Sequence, residues 1–370
     1  MTDRRPILLA AGGTGGHLFP AEALAGELIR RGAEIELVTD ARVAAHARDF
    51  PARAVHAVAS ATIGGRSPRA VARLAGGLGY GFGQSLRLMR TVRPRAVVGF
   101  GGYPTVPPLA AAELLGIPAV IHEQNGVMGR ANRLLAPRAT AIATGFAKLD
   151  KVSARIAAKA VHVGNPVRPA VLAAASPYEP PAGGSPIRLL VFGGSQGARV
   201  MSEAVPAALA ALDAALRARL RVVHQARAED TETALTGYAA ARIEADIAPF
   251  FRDLPMRMAA AHLVIARAGA STVAELAAIG RPAVLVPLPN SLDQDQLANA
   301  RALAAAGGAT VMVQAELTAA SLSGLLARLL TAPAALAAQA AASRAFAVPD
   351  AAARLADLVL GVARPAGAEP

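Results

Sequence analysis

Four short turns carry most of the chemistry that this sequence can offer. Gly12-Gly13-Thr14-Gly15-Gly16-His17 follows the apolar run 7–11, and Phe100-Gly101-Gly102-Tyr103-Pro104-Thr105 follows 96–99. Gly193-Gly194-Ser195-Gln196-Gly197-Ala198 follows 187–192, and Arg267-Ala268-Gly269-Ala270 follows 262–266. Where such a turn opens a helix, unpaired N–H groups and the positive end of the helix dipole face outward beyond the strand. That setting suits an anion such as a diphosphate. Residues 266–300 hold the fullest case. There Thr272 is expected as the N-cap, with Glu275 three residues on completing a capping box. Gly280 and Pro282 close the helix, and 283–287 (AVLVP) forms a strand. Glu275 has a second use, because a carboxylate accepts hydrogen bonds from ribose hydroxyls.

Asp293-Gln294-Asp295 has the Asp-x-Asp spacing that can hold a metal against a diphosphate, a pattern short enough to arise by chance. Gln296 and Asn299, three residues apart, share a helix face. Their amides both donate and accept, as sugar hydroxyls require. His17 enters its helix directly from the first turn, and an imidazole's ordinary titration range near neutrality suits a general base, which makes it a candidate. His122, Glu123 and His224 end strands in similar fashion, and residue type alone does not choose among them. The first turn lacks the Gly-Lys-Ser/Thr ending of a P-loop and is not a clean GxGxxG. Asp40, closing the second strand, resembles the ribose-binding acid of a dinucleotide site. A dehydrogenase is therefore the rival reading, although nothing nearby supplies a hydride-transfer site.

Strand–turn–helix units hold these groups, the pattern of parallel α/β sheets with ligands at the strands' carboxyl ends. A helix with Pro20 in its first turn runs to Arg31 and ends at Gly32; 34–39 is the next strand. Residues 118–121 form another, delivering His122-Glu123-Gln124-Asn125 to the same edge. VGNPVRP (163–169) and the Pro/Gly-rich 176–186 mark a junction, after which the opening pattern repeats. The expected organisation is a domain over 1–163, a second over 164–345, and a helix in 346–370 packing back on the first domain before a disordered tail.

At 370 residues the chain is long for one core, and two domains are the natural expectation. The absence of Cys excludes disulfides, a thiolate nucleophile and Cys-ligated metal. No signal-peptide pattern is expected at the start, and Gly and Pro interrupt the longest uncharged runs, so no membrane span is expected. The net charge of +12 comes from 35 Arg and 3 Lys against 26 acids. Its distribution matters more than its total. No acid occurs between Asp49 and Glu113, while Arg53, Arg66, Arg69, Arg73, Arg87, Arg90, Arg93 and Arg95 lie there. Such a one-sign field attracts polyanions or an anionic membrane surface. Sparse aromatics and the lack of a binding motif argue against nucleic acid.

Taken in order, GGTGGHLFPAEALA, FGGYPTVP, AVIHEQN, VGNPVR, FGGSQGAR and ARAGASTVAELAAIGRPAVLVP resemble the MurG family, the bacterial peptidoglycan UDP-N-acetylglucosamine:lipid I N-acetylglucosaminyltransferases. The resemblance implies a GT-B fold, two Rossmann-like parallel-sheet domains facing across a cleft. It implies an inverting, metal-independent transfer, without cofactor, from UDP-N-acetylglucosamine to the 4-hydroxyl of the muramyl sugar of lipid I, forming lipid II. In the second domain, Ser195 would meet the diphosphate region, Arg168 the nucleotide, and the backbone of Phe251 the uracil. Ala270, Ser271, Thr272, Val273, Ala274 and Glu275 would hold diphosphate and ribose, with Gln296 and Asn299 on the sugar. From the first domain, Thr14, Gly15, Gly16 and Asn125 would line the cleft, His17 would be the base, and Tyr103 and Glu123 would lie near the acceptor. Two features depart from the family: the loop 289–293 (PNSLD), and Phe251 in place of a commonly aliphatic residue. A lipid-borne acceptor also implies peripheral docking on the cytoplasmic face of the inner membrane. Arg66, Arg69, Arg73, Arg87 and Arg90, set around Leu74, Leu78, Tyr80 and Phe82, are the expected contact.

Overall fold

The computed structural model describes residues 5–12, 15–44, 47–60, 68–194 and 197–363. The chain divides into two compact units, Met1–Arg168 with Val348–Pro370, and Pro169–Ala347. The chain crosses between them after Arg168 and after Ala347, a few residues beyond the positions expected from composition. The tail past residue 363 lies outside the described residues.

In the N-terminal unit, β1 (Ile7–Ala10), β2 (Ile35–Thr39), β3 (Ala54–Ala57), β4 (Ala96–Gly99), β5 (Ala119–Glu123), β6 (Ala141–Thr144) and β7 (Ala160–His162) form one sheet. Its order is β3-β2-β1-β4-β5-β6-β7, with every pair parallel. The order reverses between β1 and β4, so the loops after these two strands diverge there and leave a crevice. Both faces of the sheet are covered, which is why its central strands read as unbroken apolar runs. Side-chain alternation sends Ile7 and Leu9 to a cluster with Leu24, Leu28, Leu355 and Val359. It sends Leu8 and Ala10 to another with Leu109, Ile121 and Met128. Helices Gly15–Arg30 and Ala351–Val362 cover the first face, and Arg31 joins them by donating to the Ala353 carbonyl and pairing with Asp357. The one fully buried Leu of the closing helix, Leu355, contributes about 1.5–3 kcal/mol.

Two local expectations change. Helix Gly15–Arg30 begins at the glycines, so Pro20 sits in its interior instead of its first turn. Lacking an N–H, Pro20 leaves the Gly16 carbonyl without an i+4 donor. Strand β5 runs through Glu123, so His122 and Glu123 are strand residues on opposite faces and not a loop beyond the strand.

The C-terminal unit repeats the plan with β8 (Ile187–Phe192), β9 (Leu220–Gln225), β10 (Glu244–Ala248), β11 (Leu263–Ala266), β12 (Ala283–Leu285) and β13 (Ala309–Val311). The order is β10-β9-β8-β11-β12-β13, again all parallel, with its reversal between β8 and β11. One core cluster joins Leu189, Val191, Leu263 and Ile265 to Met201, Leu209, Leu322 and Leu326. Among the described residues no single helix is long and apolar enough to cross a membrane.

Candidate active site

Each unit brings its glycine turns to its own switch point, but the two crevices are built differently. In the N-terminal unit, His17 lies in the first turn of helix Gly15–Arg30, just past β1. Its imidazole packs against the turn that follows β4. A Cβ built on Gly101 would stand 3.4 Å from His17 Cε1, and one on Gly102 would stand 3.6 Å from Nε2. Both glycines hold positive φ, 87° and 78°, which side-chain-bearing residues rarely adopt. His17 Nδ1 is 3.2 Å from Gln124 Oε1. Gln124 Nε2 in turn donates to the carbonyl of His122 (3.0 Å) and to His122 Nδ1 (3.0 Å), and His122 Nε2 donates to the Gly164 carbonyl (3.1 Å). His122 is fully buried, and burial pushes its pKa down to about 4, so it is neutral near pH 7.

Glu123 points to the other face of β5 and does different work. Its carboxyl accepts from the amides of Asn125 (3.0 Å) and Gly129 (2.9 Å), and from the side chains of Asn125 (3.3 Å) and Asn132 (2.7 Å). It is 1% exposed, and burial raises its pKa against the opposing effect of these donors. Glu123 therefore fixes the 125–129 loop, including Asn125. Tyr103 is half-buried at the start of a short 3-10 turn, which Thr105 closes by donating to the Gly102 carbonyl (2.9 Å). Arg168 belongs to this unit as well; its guanidinium lies 4.1 Å from the ring centroid of Phe19. Gly15 and Gly16 start the helix, whereas Thr14 lies outside the described residues.

In the C-terminal unit the turn after β11 presents backbone. Helix Ala270–Ile279 starts with Gly269 as N-cap, in extended conformation with no side-chain cap. Thr272 is thus the third helical residue and Glu275 the sixth, both buried, and the expected capping box at these two residues does not form. Distant side chains set the turn instead. Asn299 Nδ2 donates to the Ala268 carbonyl (3.1 Å), while Gln296 Oε1 accepts from the amides of Ala268 (3.3 Å) and Leu288 (3.0 Å). Arg267 donates to the carbonyls of Val286 and Pro287 (3.1 Å each) and to Gln314 (2.6 Å). The first helical hydrogen bond at this end runs from Val273 N to the Gly269 carbonyl, so the amides of Ala270, Ser271 and Thr272 precede the helical ladder. The Ser271 hydroxyl is buried and has no hydrogen-bond partner among the described residues. Ala270 and Val273 are buried and Ala274 half-buried.

Gln296 and Asn299 do share a face of helix Asp295–Ala305, but Asn299 is wholly buried and its amide nitrogen is spent on the turn. Phe251 is buried three residues past β10, under the Arg257 guanidinium at 4.0 Å from the ring centroid. Ser195 lies outside the described residues. His224, weighed with the other histidines, faces the core, where Nδ1 is 2.9 Å from the Tyr238 hydroxyl and burial pushes its pKa down to about 4. Asp293 and Gln294 both take left-handed backbone, and the Asp295 carboxylate accepts from the Gln296 amide (2.7 Å). Among the described residues no group of three or more His, Cys, Asp or Glu is gathered as metal ligands. Gln124, Asn132 and Arg267 are the positioning residues that residue-by-residue reading missed. Gln124 and Arg267 lie within the motifs AVIHEQN and ARAGASTVAELAAIGRPAVLVP.

The glycosyltransferase family 28 N-terminal domain matches residues 7–144 and the family 28 C-terminal domain residues 188–355. The UDP-N-acetylglucosamine--N-acetylmuramyl-(pentapeptide) pyrophosphoryl-undecaprenol N-acetylglucosamine transferase of Methylobacterium nodulans is 59% identical over 367 residues, covering 98% of each chain. The chain belongs to the MurG family. The protein of the same name from Rhizobium meliloti is 55% identical over 362 residues, covering 98% of this chain and 96% of its own. The crystal structure of Acinetobacter baumannii MurG superposes with a TM-score of 0.78 at 30% identity, covering 96% of this chain and 99% of that one. Two parallel-sheet Rossmann-like units in a MurG-family chain make this a GT-B fold, and the chain is a hexosyltransferase.

Proposed function

We propose that the chain moves N-acetylglucosamine from UDP-N-acetylglucosamine to the 4-hydroxyl of the muramyl sugar of lipid I, forming lipid II with inversion, and that His17 is the base. The observation that carries the donor half is the uncapped N-terminus of helix Ala270–Ile279 beside the unpartnered Ser271 hydroxyl. Amides and a hydroxyl there would take the diphosphate charge as it develops on the leaving UDP. The acceptor oxygen attacks the anomeric carbon from the face opposite UDP. The new C–O bond forms as the bond to the phosphate oxygen breaks, and the hydroxyl proton passes to His17 Nε2.

Glu275 on ribose hydroxyls, the Phe251 backbone on uracil, and Arg168 and Ser195 near nucleotide and diphosphate complete the donor reading. Asn125 would lie beside both the donor sugar and the acceptor, and Tyr103 would accompany His17 on the acceptor side. Gln296 bears on the sugar, while Asn299 acts through the Ala268 peptide.

For the lipid-borne acceptor we propose peripheral docking on the cytoplasmic membrane face through helix Pro68–Val92. Arg87 and Arg90 are exposed there, Tyr80 is 67% exposed, and Leu78 and Phe82 are part-buried; Arg66 and the side chains of Arg69, Arg73 and Leu74 lie outside the described residues. Flotation with anionic vesicles and not with neutral ones is the expected outcome; equal recovery in both would remove the docking reading. The reaction is tested by product analysis with UDP-N-acetylglucosamine and a lipid I analogue. A disaccharide product is expected, and its absence under conditions where UDP binds would overturn the reading.

A further inference from the structure

We propose that Gln124 is a positioning residue which, held by His122 and the Gly164 carbonyl, locks His17 in the tautomer that carries its proton on Nδ1 and its lone pair on Nε2. The inference rests on the reading of His17 as the base and adds how that base is kept in its working form.

The assignment follows from one atom that has no choice of role. A backbone carbonyl only accepts, so the His122 nitrogen 3.1 Å from the Gly164 oxygen, Nε2, must carry a proton. His122 is buried and neutral near pH 7, which leaves Nδ1 with the lone pair. The Gln124 atom facing both that lone pair and the His122 carbonyl, at 3.0 Å each, must therefore be the NH2 group. Its other atom is then the oxygen, and the His17 nitrogen 3.2 Å away must donate to it. In a neutral His17 ring the lone pair then falls on Nε2, on the side toward Gly102.

Each anchor of this relay is itself held. Asn165 Nδ2 donates to the Gln124 carbonyl (2.8 Å), which fixes the Gln124 backbone. Gly164 has φ +83°, and a Cβ there would come within 2.5 Å of Val348 Cβ, so the carbonyl that starts the chain sits on a glycine-only backbone. Strand alternation explains the division of labour in His122-Glu123. His122 faces helix Gly15–Arg30 with the cluster of Ile7, Val120 and Leu355, while Glu123 faces the loop it holds. In water a neutral imidazole prefers its proton on Nε2, the form that presents a donor and no base to an incoming hydroxyl. The Gln124 oxygen reverses that preference.

The test reads the tautomer and the rate separately. In the wild-type protein above the His17 pKa, long-range 1H–15N spectra assigned with His17→Gln are expected to show Nδ1 as pyrrole-type and Nε2 as pyridine-type. In Gln124→Leu the two signals should move toward exchange or reversal. The same variant should lose on the order of 10²-fold in kcat, within the 10²–10⁴-fold range of a positioned base, with donor KM within about twofold. His122→Phe, which frees the Gln124 amide to turn over, should give a smaller loss in the same direction. A wild-type His17 protonated on Nε2 overturns the proposal whether or not any variant folds. So does a folded Gln124→Leu with unchanged tautomer and rate. If His17→Ala retains full kcat, the base reading itself fails; if His17→Ala is inactive while Gln124→Leu is unaltered, the base stands and the relay falls.

Discussion

The switch point of the N-terminal unit offers a titratable side chain, His17, held in place through backbone carbonyls and a chain of amide and imidazole contacts. The switch point of the C-terminal unit reverses the arrangement. It offers backbone amides at Ala270–Thr272 and holds them with side chains, Arg267, Gln296 and Asn299. On the proposed reading, the same sheet order presents a proton acceptor in one half and an anion cradle in the other. The contrast has a practical meaning. Chemistry in the first half would be lost by changing His17, the proposed base. In the second half the diphosphate would rest mainly on backbone amides, so that Arg267, Gln296 and Asn299 would bear on it by holding the turn, while Glu275 would act directly on the ribose.

The largest expected effect breaks the N-terminal half alone. His17→Ala should lower kcat by about 10²–10⁴-fold while leaving UDP affinity and thermal unfolding near wild type, checked by steady-state kinetics and calorimetry. A comparable loss of UDP affinity would mean that the halves are not divided in this way. Asn299→Leu tests the other half. Removing the partner of the buried Ala268 carbonyl should cost about 1–3 kcal/mol in urea unfolding, and should weaken UDP binding about tenfold through displacement of the turn. Retained UDP affinity in a destabilised Asn299→Leu would leave the turn without a role in binding.

Acid affects both units through buried histidines, His122 in the N-terminal unit and His224 and His262 in the C-terminal unit. His122 and His224 have pKa values of about 4 in the fold against 6.5 unperturbed, lowered chiefly by burial. A depressed folded pKa means that the unfolded chain takes up protons first. The stability these neutral rings provide is complete above pH 6.5 and falls as pH drops toward 4. At pH 5 the loss is about 2 kcal/mol per ring, from about 1.36 kcal/mol per unit. Urea midpoints at pH 7.5 and pH 5 should differ accordingly, and His224→Asn should narrow the difference for the C-terminal unit only. The smallest expected change is Glu275→Gln, which replaces an ionic acceptor by a neutral one and should raise donor KM about two- to tenfold, measured at saturating acceptor. An unchanged donor KM would leave Glu275 only its place in the helix.

Much of this frame was legible in the sequence, for a physical reason. Strands β4 and β8 and the starts of β1 and β11 came close to their observed limits, because their buried positions are almost all apolar and each run gives way within three residues to a glycine-bearing turn. The repeated opening also pointed to two similar units. What stayed hidden depends on long-range contacts. The capping box at Thr272–Glu275 was a sound local expectation, but Asn299 and Gln296, about thirty residues downstream, bind the Ala268 peptide and move the helix start to Ala270. His122 and Glu123 looked alike as strand-end residues until the strand was seen to continue through both, which sends them to opposite faces. Gln124 carried no signal of its own, since its role depends on His17, 107 residues earlier, and on the Gly164 carbonyl.

The division between the halves is tested most directly by recording backbone amide shifts of the 15N-labelled full chain as UDP is added. The account predicts saturable shifts at Ala270, Ser271, Thr272 and Glu275, with Gly12, Asp40 and Gly102 unmoved. Shifts centred on Gly12 and Asp40, with the Ala270 turn unperturbed, would contradict it.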